Sequence, residues 1–262
     1  MLKEEKVYFT TSDGLTLCGI LSKSQNETDK CIILCHGIAV DKEEDGIFTN
    51  LVKELVDAGF NVFRFDFRGH GESKGKSVDM TIMGEVKDLE AAINFLKKKG
   101  YTDFGLLGAS FAGGAVSIFS GYSQAGKVKA LVLWNALIDY SSKINPVTEW
   151  GRKYWGKPAF ERVEKFGFTE IGSRKFKIGK GLIDEIKRFK PWSALAKTEI
   201  PKLFVHGDRD TYIPVEDSVK YASEINNSSL KIIHGAEHGF HDNPRHAEEA
   251  NRATIAFFKK YL

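Results

Sequence analysis

The feature that most constrains the fold is an alternation. Short runs of β-branched and aliphatic residues are separated, again and again, by stretches whose apolar residues recur every three or four positions. A strand, an amphipathic helix and a second strand make a βαβ unit, so the chain is expected to be an α/β protein built on a mostly parallel central sheet flanked by helices. Strand cores are expected at 31–35 (CIILC), 61–65 (NVFRF), 104–109 (FGLLGA), 128–134 (VKALVLW), 202–206 (KLFVH) and 229–233 (SLKII). Most are apolar throughout, as strands covered on both faces should be. The opening breaks the rhythm: 6–11 and 15–22 are extended runs around Ser12-Asp13-Gly14, which predicts an antiparallel hairpin at the sheet edge.

The intervening helices carry recognisable ends. Phe48, Leu51, Leu55 and Ala58 keep helical spacing and stop at Gly59, and Ile82, Val86, Leu89, Ile93 and Leu96 stop at Gly100. Asn243-Pro244 predicts an N-cap and first helical residue for a closing helix that turns Ala247, Ala250, Ala253 and Phe257 inward. Residues 139–196 are too long for a simple crossover and mix aromatic residues with lysine and glycine, so they are expected to be an insertion within one 1–262 domain. Inside it, 168–178 predicts a small hairpin around Gly172-Ser173, and 182–189 a helix ending before Pro191.

Charge and cysteine content narrow the function class. Lys+Arg 38 against Asp+Glu 35 is too even a balance for a nucleic-acid or anionic-membrane surface, so the expected partner is a small molecule. MLKEEKVYFT has no apolar core of signal-peptide length, and no stretch approaches the roughly 18 apolar residues of a membrane span, which predicts a cytoplasmic protein. Cys18, Cys31 and Cys35 lie in apolar strand-like runs and are expected to be small buried hydrophobes. A homo-oligomer is left open.

The chemistry gathers at strand ends. The strand at 104–109 runs into Gly108-Ala109-Ser110-Phe111-Ala112-Gly113-Gly114, and a helical stretch follows at once. A sharp strand-to-helix turn lifts a serine hydroxyl clear of the backbone but crowds the positions two before and two after it, and Gly108 and Ala112 are small enough. Ser110 is therefore a candidate nucleophile. A nucleophilic serine needs a base, and the base an orienting acid. His206-Gly207-Asp208-Arg209-Asp210 and His234-Gly235-Ala236-Glu237-His238 follow the two last strands in the order serine, acid, base. The residues alone leave Asp208 and Asp210, and several histidines, open. His206, Asp208 and Asp210 could also be imagined around a metal, but alternate positions spanning a strand end and its turn need not converge. No Walker-type loop or dinucleotide fingerprint is present, and no cofactor or metal is implied.

Over nearly its whole length the chain resembles an α/β-hydrolase. The resemblance rests on His36-Gly37-Ile38-Ala39 after an early strand, the stretch Asp66-Phe67-Arg68-Gly69-His70-Gly71-Glu72-Ser73, the serine turn and the two downstream loops. It implies Ser110 as nucleophile, Asp210 as acid, His238 as base, and the Ile38 and Phe111 N–H groups as the oxyanion hole. Asp208 is then expected to bond backbone in its turn and His70 to be structural; Asp139 is the rival acid, the residue that would serve in a variant of the fold that places the acid after the preceding strand. One departure is Ala112, where the family usually has glycine.

The same resemblance implies that 139–196 forms a small cap over the strand ends. Trp150, Trp155 and Trp192 lie in it with Tyr140, and with Trp134 just before it these are the expected substrate-facing residues of an apolar acyl pocket. The chain is similar to cinnamoyl and feruloyl esterases and related carboxylesterases, which implies a serine esterase acting on a small-molecule ester with an apolar or aromatic acyl group. Monoacylglycerol lipases, acyl-thioesterases and serine aminopeptidases share the motifs. From another class, a non-catalytic ligand sensor could use the same scaffold.

Overall fold

A computed structural model of the chain describes residues 2–122 and 128–262. The expected hairpin is β1 (Lys3–Thr10) and β2 (Thr16–Lys23), paired antiparallel, and β1 lies at one edge of an eight-stranded sheet. The remaining strands of that sheet are β3 (Lys30–Cys35), β4 (Asn61–Phe65), β5 (Asp103–Ala109), β6 (Val128–Trp134), β9 (Lys202–Gly207) and β10 (Ser228–Ile233), in the spatial order β1-β2-β4-β3-β5-β6-β9-β10. From β4 to β10 every pairing is parallel. The expected strand cores thus fall within the observed strands, and this is the α/β-hydrolase architecture.

Helices cover both faces. Helices α1 (Ile47–Asp57) and α10 (Pro244–Tyr261) pack on one side, where Phe48, Leu51, Leu55 and Phe258 bury against Ile32, Leu34, Val132 and Val205. Helices α2 (Ile82–Lys98) and α3 (Ala112–Tyr122) pack on the other, against Ile33, Leu106, Leu131 and Phe204. Cys31 to Leu34 alternate between these two faces, and all are fully buried. Full burial of each such aliphatic side chain is worth roughly 1.5–3 kcal/mol, so β3 anchors the domain. The helix ends follow their caps: the Thr81 side chain accepts from Gly84 N–H, Asn243 from Arg245 N–H, and Gly59 and Gly100 take positive φ after α1 and α2.

Between β6 and β9 the chain forms α4 (Ser141–Ile144), α5 (Glu149–Tyr154), α6 (Lys157–Phe166), the hairpin β7 (Phe168–Ile171) and β8 (Phe176–Gly179), α7 (Lys180–Arg188) and α8 (Pro191–Leu195); α9 (Val215–Glu224) follows β9. Three cysteines are buried and free. Among the described residues no helix is long and apolar enough to cross a membrane.

Register positions the site. Chain order reverses at β3, which has β4 on one side and β5 on the other, and ligand crevices form at the carboxyl ends of strands at such a switch point. Cys35 pairs with Gly108, so Gly37 and Ser110 leave adjacent strands side by side. Gly207 pairs with Ile233, bringing the Asp208–Asp210 and His234–His238 turns together.

Candidate active site

Ser110 occupies the turn between β5 and α3 with φ of 50°, a left-handed conformation unusual for a side-chain-bearing residue. Such strain costs of order 1–3 kcal/mol and persists only where surroundings over-determine it. Here Ser110 N–H donates to the Trp134 carbonyl at 2.8 Å, and the Ser110 carbonyl accepts from Leu137 N–H at 2.8 Å and Gly113 N–H at 3.1 Å. The small residues have steric reasons. A Cβ on Gly108 would stand 3.0 Å from Val116 Cγ2, one on Gly113 2.5 Å from the Ala136 methyl, and one on Gly114 would collide with the Tyr140 hydroxyl. Ala112 is fully buried at the start of α3.

A continuous chain of hydrogen bonds leads away from this serine. His238 Nε2 lies 3.0 Å from Ser110 Oγ, and His238 Nδ1 lies 2.7 Å from Asp210 Oδ2. A carboxylate only accepts, so Nδ1 carries the proton and Nε2 is free to accept the serine proton. The other oxygen of Asp210 accepts from Tyr212 N–H at 2.7 Å and Ile213 N–H at 3.0 Å. Burial opposes the charge of Asp210, yet its imidazole neighbours outweigh that and hold the carboxyl well below the usual range. Tyr212 also stacks on the His238 ring, centroids 4.7 Å apart.

Sequence reasoning named His206 only as a conceivable metal ligand and missed its contact with Asp210. It is fully buried, with Nε2 3.1 Å from the same Asp210 oxygen that meets His238 and 3.2 Å from the Ile213 carbonyl, while Nδ1 faces Ser218 Oγ at 2.7 Å. Its place on β9, four residues before Asp210, was a signal available in the sequence.

Facing Ser110 is a cavity of about 200 Å³ lined by Gly37, Ile38, Phe111, Leu137, Trp150, Trp155, Tyr212 and Ile213, among others. The Ile38 and Phe111 N–H groups have no acceptor among the described residues, and both residues line the cavity. Gly37 N–H is instead taken by Glu44 Oε2 at 2.6 Å. Removal from water pushes the Glu44 carboxyl up to about 8. Positive φ at Ala39, Glu44 and Asp45 joins that of Ser110 in one small region.

The rival residues lie elsewhere. Asp208 bonds backbone, as expected, but across to Gly235 N–H rather than within its own turn, and it pairs with the exposed His234. It therefore turns away from His206 and Asp210, and the three do not converge on a metal. Asp139 accepts from Tyr221 Oη at 2.5 Å and Ser141 N–H at 2.9 Å, so it is not the partner of His238. His70 is buried, accepts from Ala39 N–H and stacks on Phe176. Cys18, Asp66 and Glu72 do converge, but the Lys42 ammonium already bonds Asp66 at 2.8 Å and Glu72 at 3.1 Å.

Of the expected substrate-facing aromatics, Trp150 and Trp155 line the cavity. Trp134, Tyr140 and Trp192 do not, which corrects the expectation. Trp134 is buried between Phe48 and Phe240 and donates to Thr254 Oγ1; Tyr140 stacks on Phe111 beside α3; Trp192 stacks on Tyr221. Each satisfies its large apolar face by packing on the domain. Lining residues the sequence did not single out include Glu44, Lys143, Tyr212 and Ile213. The signal for Tyr212 and Ile213 was their adjacency to Asp210.

Residues 26–165 match the Hydrolase_4 family model, described as serine aminopeptidase, S33. The chain belongs to this family. It is an α/β-hydrolase and is similar in structure to Est1E from Butyrivibrio proteoclasticus with ferulic acid bound, at a TM-score of 0.84 and 23% identity over 97% of this chain and 98% of that one. The Pyrococcus furiosus esterase Pf2001 superposes with a TM-score of 0.74 at 23% identity, over 100% of this chain and 94% of the esterase. At such identities the likeness shows the fold. In sequence, a monoacylglycerol lipase of Mycolicibacterium smegmatis is 28% identical over 236 residues, 81% of this chain and 82% of the lipase.

Proposed function

We propose that this α/β-hydrolase is a serine esterase working through an acyl-enzyme on esters with small apolar or aromatic acyl groups. The observation that carries the reading is the unbroken path from the strained Ser110 through His238 to the buried Asp210. In this reading Ser110 Oγ attacks the ester carbonyl as His238 Nε2 takes its proton, and Asp210 stabilises the imidazolium that forms. The developing oxyanion accepts from Ile38 and Phe111 N–H, donors that have no other acceptor among the described residues. His238 then returns the proton to the departing alcohol and activates water against the acyl-serine.

The 139–196 insertion serves as a cap within the single 1–262 domain, since Trp150 and Trp155 come from it to the cavity. A cavity of about 200 Å³ falls below the roughly 300–1,000 Å³ of sites for drug-sized ligands, which favours a compact acyl group. The ferulic acid of the Est1E complex and the acylglycerol of the mycobacterial relative support an ester rather than a peptide bond. The family description favours a second reading, an aminopeptidase, for which a cavity carboxyl would have to meet a substrate ammonium; Glu44, Asp45 and Glu237 line the cavity, and Asp45 is already paired with Arg174. Of these, Glu44 hydrogen-bonds the backbone beside Ser110. Its oxygen is engaged by Gly37, its carboxyl is held neutral below about pH 8, and Lys143 adds a repelling charge, so we rank it second.

The test is a panel of p-nitrophenyl acyl esters of increasing length, a feruloyl ester and amino-acid p-nitroanilides, assayed with wild type and Ser110→Ala. Ester turnover confined to the wild type and peaking at short or aromatic acyl groups is expected. Turnover of the anilides alone would replace the esterase reading with the aminopeptidase one.

A further inference from the structure

The cavity facing Ser110 contains a charge that the esterase mechanism does not use. Lys143, on α4, lines it beside Trp150 and Tyr212, yet only 2% of the residue is exposed. Its ammonium donates to the Tyr212 carbonyl at 3.0 Å and lies 5.2 Å from the centre of the Trp150 ring. Among the described residues no carboxylate comes within ion-pairing distance of it. The nearest acids act through space only: Asp210 is saturated by His238, His206 and two backbone N–H groups, and Asp217 forms no ion pair with it. An ammonium has three donors, and burying one that is hydrogen-bonded only once is costly unless something else satisfies it.

The wider charge distribution points the same way. Residues 139–196 carry 13 Lys+Arg against 7 Asp+Glu, whereas the remainder of the chain carries 25 against 28. The insertion is thus a positive surface on a slightly negative body, a field that draws anions toward the strand ends. Three further carboxyls line the cavity: Glu44 is held neutral, Asp45 is paired with Arg174, and Glu237 is exposed at the surface, and none of them forms an ion pair with Lys143 among the described residues.

We infer that Lys143 is a specificity residue for a substrate whose acyl part bears a second, free carboxylate, so that the ester is a half-ester of a short dicarboxylic acid. This inference rests on the esterase reading and names its substrate class. The esterified carboxyl is the one attacked by Ser110, the free one pairs with the Lys143 ammonium, and hydrolysis adds water to release an alcohol and the dicarboxylic acid. Trp150 and Tyr212 flank the methylene chain between the two ends.

The probes are ethyl hydrogen glutarate and its neutral isostere ethyl 5-methylhexanoate. Each is followed by ethanol release in wild type, Lys143→Met and Lys143→Arg, and by calorimetric binding to Ser110→Ala with and without Lys143→Met. A hydrogen-bonded charge pair of this kind makes kcat/KM for the half-ester exceed that for the isostere by about 10- to 100-fold. Lys143→Met is expected to erase that ratio and Lys143→Arg to keep part of it. Equal binding of the two esters to Ser110→Ala, binding of neither, or a loss in Lys143→Met that is the same for both overturns the inference and leaves Lys143 as a brace for the Tyr212 turn. Selective, Lys143-dependent binding of the half-ester without turnover by the wild type sustains the carboxylate site and sinks the esterase reading instead.

Discussion

The same two loops build two Asp–His pairs, and only one of them is joined to a serine. In both, a histidine Nδ1 meets an aspartate Oδ2, at 2.7 Å for His238–Asp210 and 2.8 Å for His234–Asp208, and in both the other carboxylate oxygen accepts from backbone N–H. The pairs differ in surroundings. The Asp210 side chain is fully buried and that of His238 16% exposed, against 36% for Asp208 and 86% for His234. Local chemistry is therefore not what separates the dyad proposed as catalytic from a surface ion pair. Exclusion of water, and a third group placed on the far nitrogen, do that.

The largest effect that would break or sharpen this contrast is expected from Asp210→Asn. Losing the carboxylate that sets the His238 tautomer should lower kcat about 10⁴-fold, measured by steady-state turnover of the best ester. A much smaller loss would mean that another acid takes the role.

A third histidine pair tests the opposite limit, burial with no acid. Burial pushes His36 down to about 4 and His70 to about 3, outweighing the bonds from their Nδ1 atoms to the Gly37 and Arg68 carbonyls, which favour the charged rings. As both folded values lie below the ordinary value near 6.5, the unfolded chain takes up protons first as pH falls. Stability present above about pH 6.5 should be lost between there and about pH 4, by about 3 kcal/mol for His36 alone. Urea titrations across that range check it, and a flat profile would contradict the assignment.

Next comes His206→Phe. It removes one donor from Asp210, so kcat should fall about 10- to 100-fold with KM nearly unchanged, as for loss of a hydrogen bond to a charged group. A KM effect without a kcat effect would make His206 a packing residue only. The smallest change is expected from Asp208→Asn and His234→Ala, which should leave kcat within about 2-fold, since exposed ion pairs are largely screened. A large loss from either would erase the distinction between the two pairs.

Much of this was readable in the chain. Apolar strand runs, Gly59 and Gly100 after helices, and Asn243-Pro244 before the last one all encode local backbone preferences, which act over a few residues and so survive in one dimension. The Gly108-to-Gly114 turn was legible in part for the same reason, because Gly108 is crowded by Ala112 and Val116 close by in sequence, whereas Gly113 and Gly114 are crowded by Ala136 and Tyr140, which the fold brings there. Trp134, Tyr140 and Trp192 were not, since an aromatic side chain says that it will be buried but not against what.

By itself, then, the sequence determined the α/β alternation, the strained serine turn and the order in which serine, acid and base leave their strands. The resemblance pointed to Asp210 over Asp208, which the residues alone left open; only the tertiary structure decided that Asp210 meets His238 while Asp208 meets His234, that His206 joins the first pair, and that Lys143 lies in the cavity. The physical reason is range. Torsional preference and periodicity are local, whereas burial, charge pairing and the choice between two aspartates two residues apart depend on strand register and on groups more than twenty residues away.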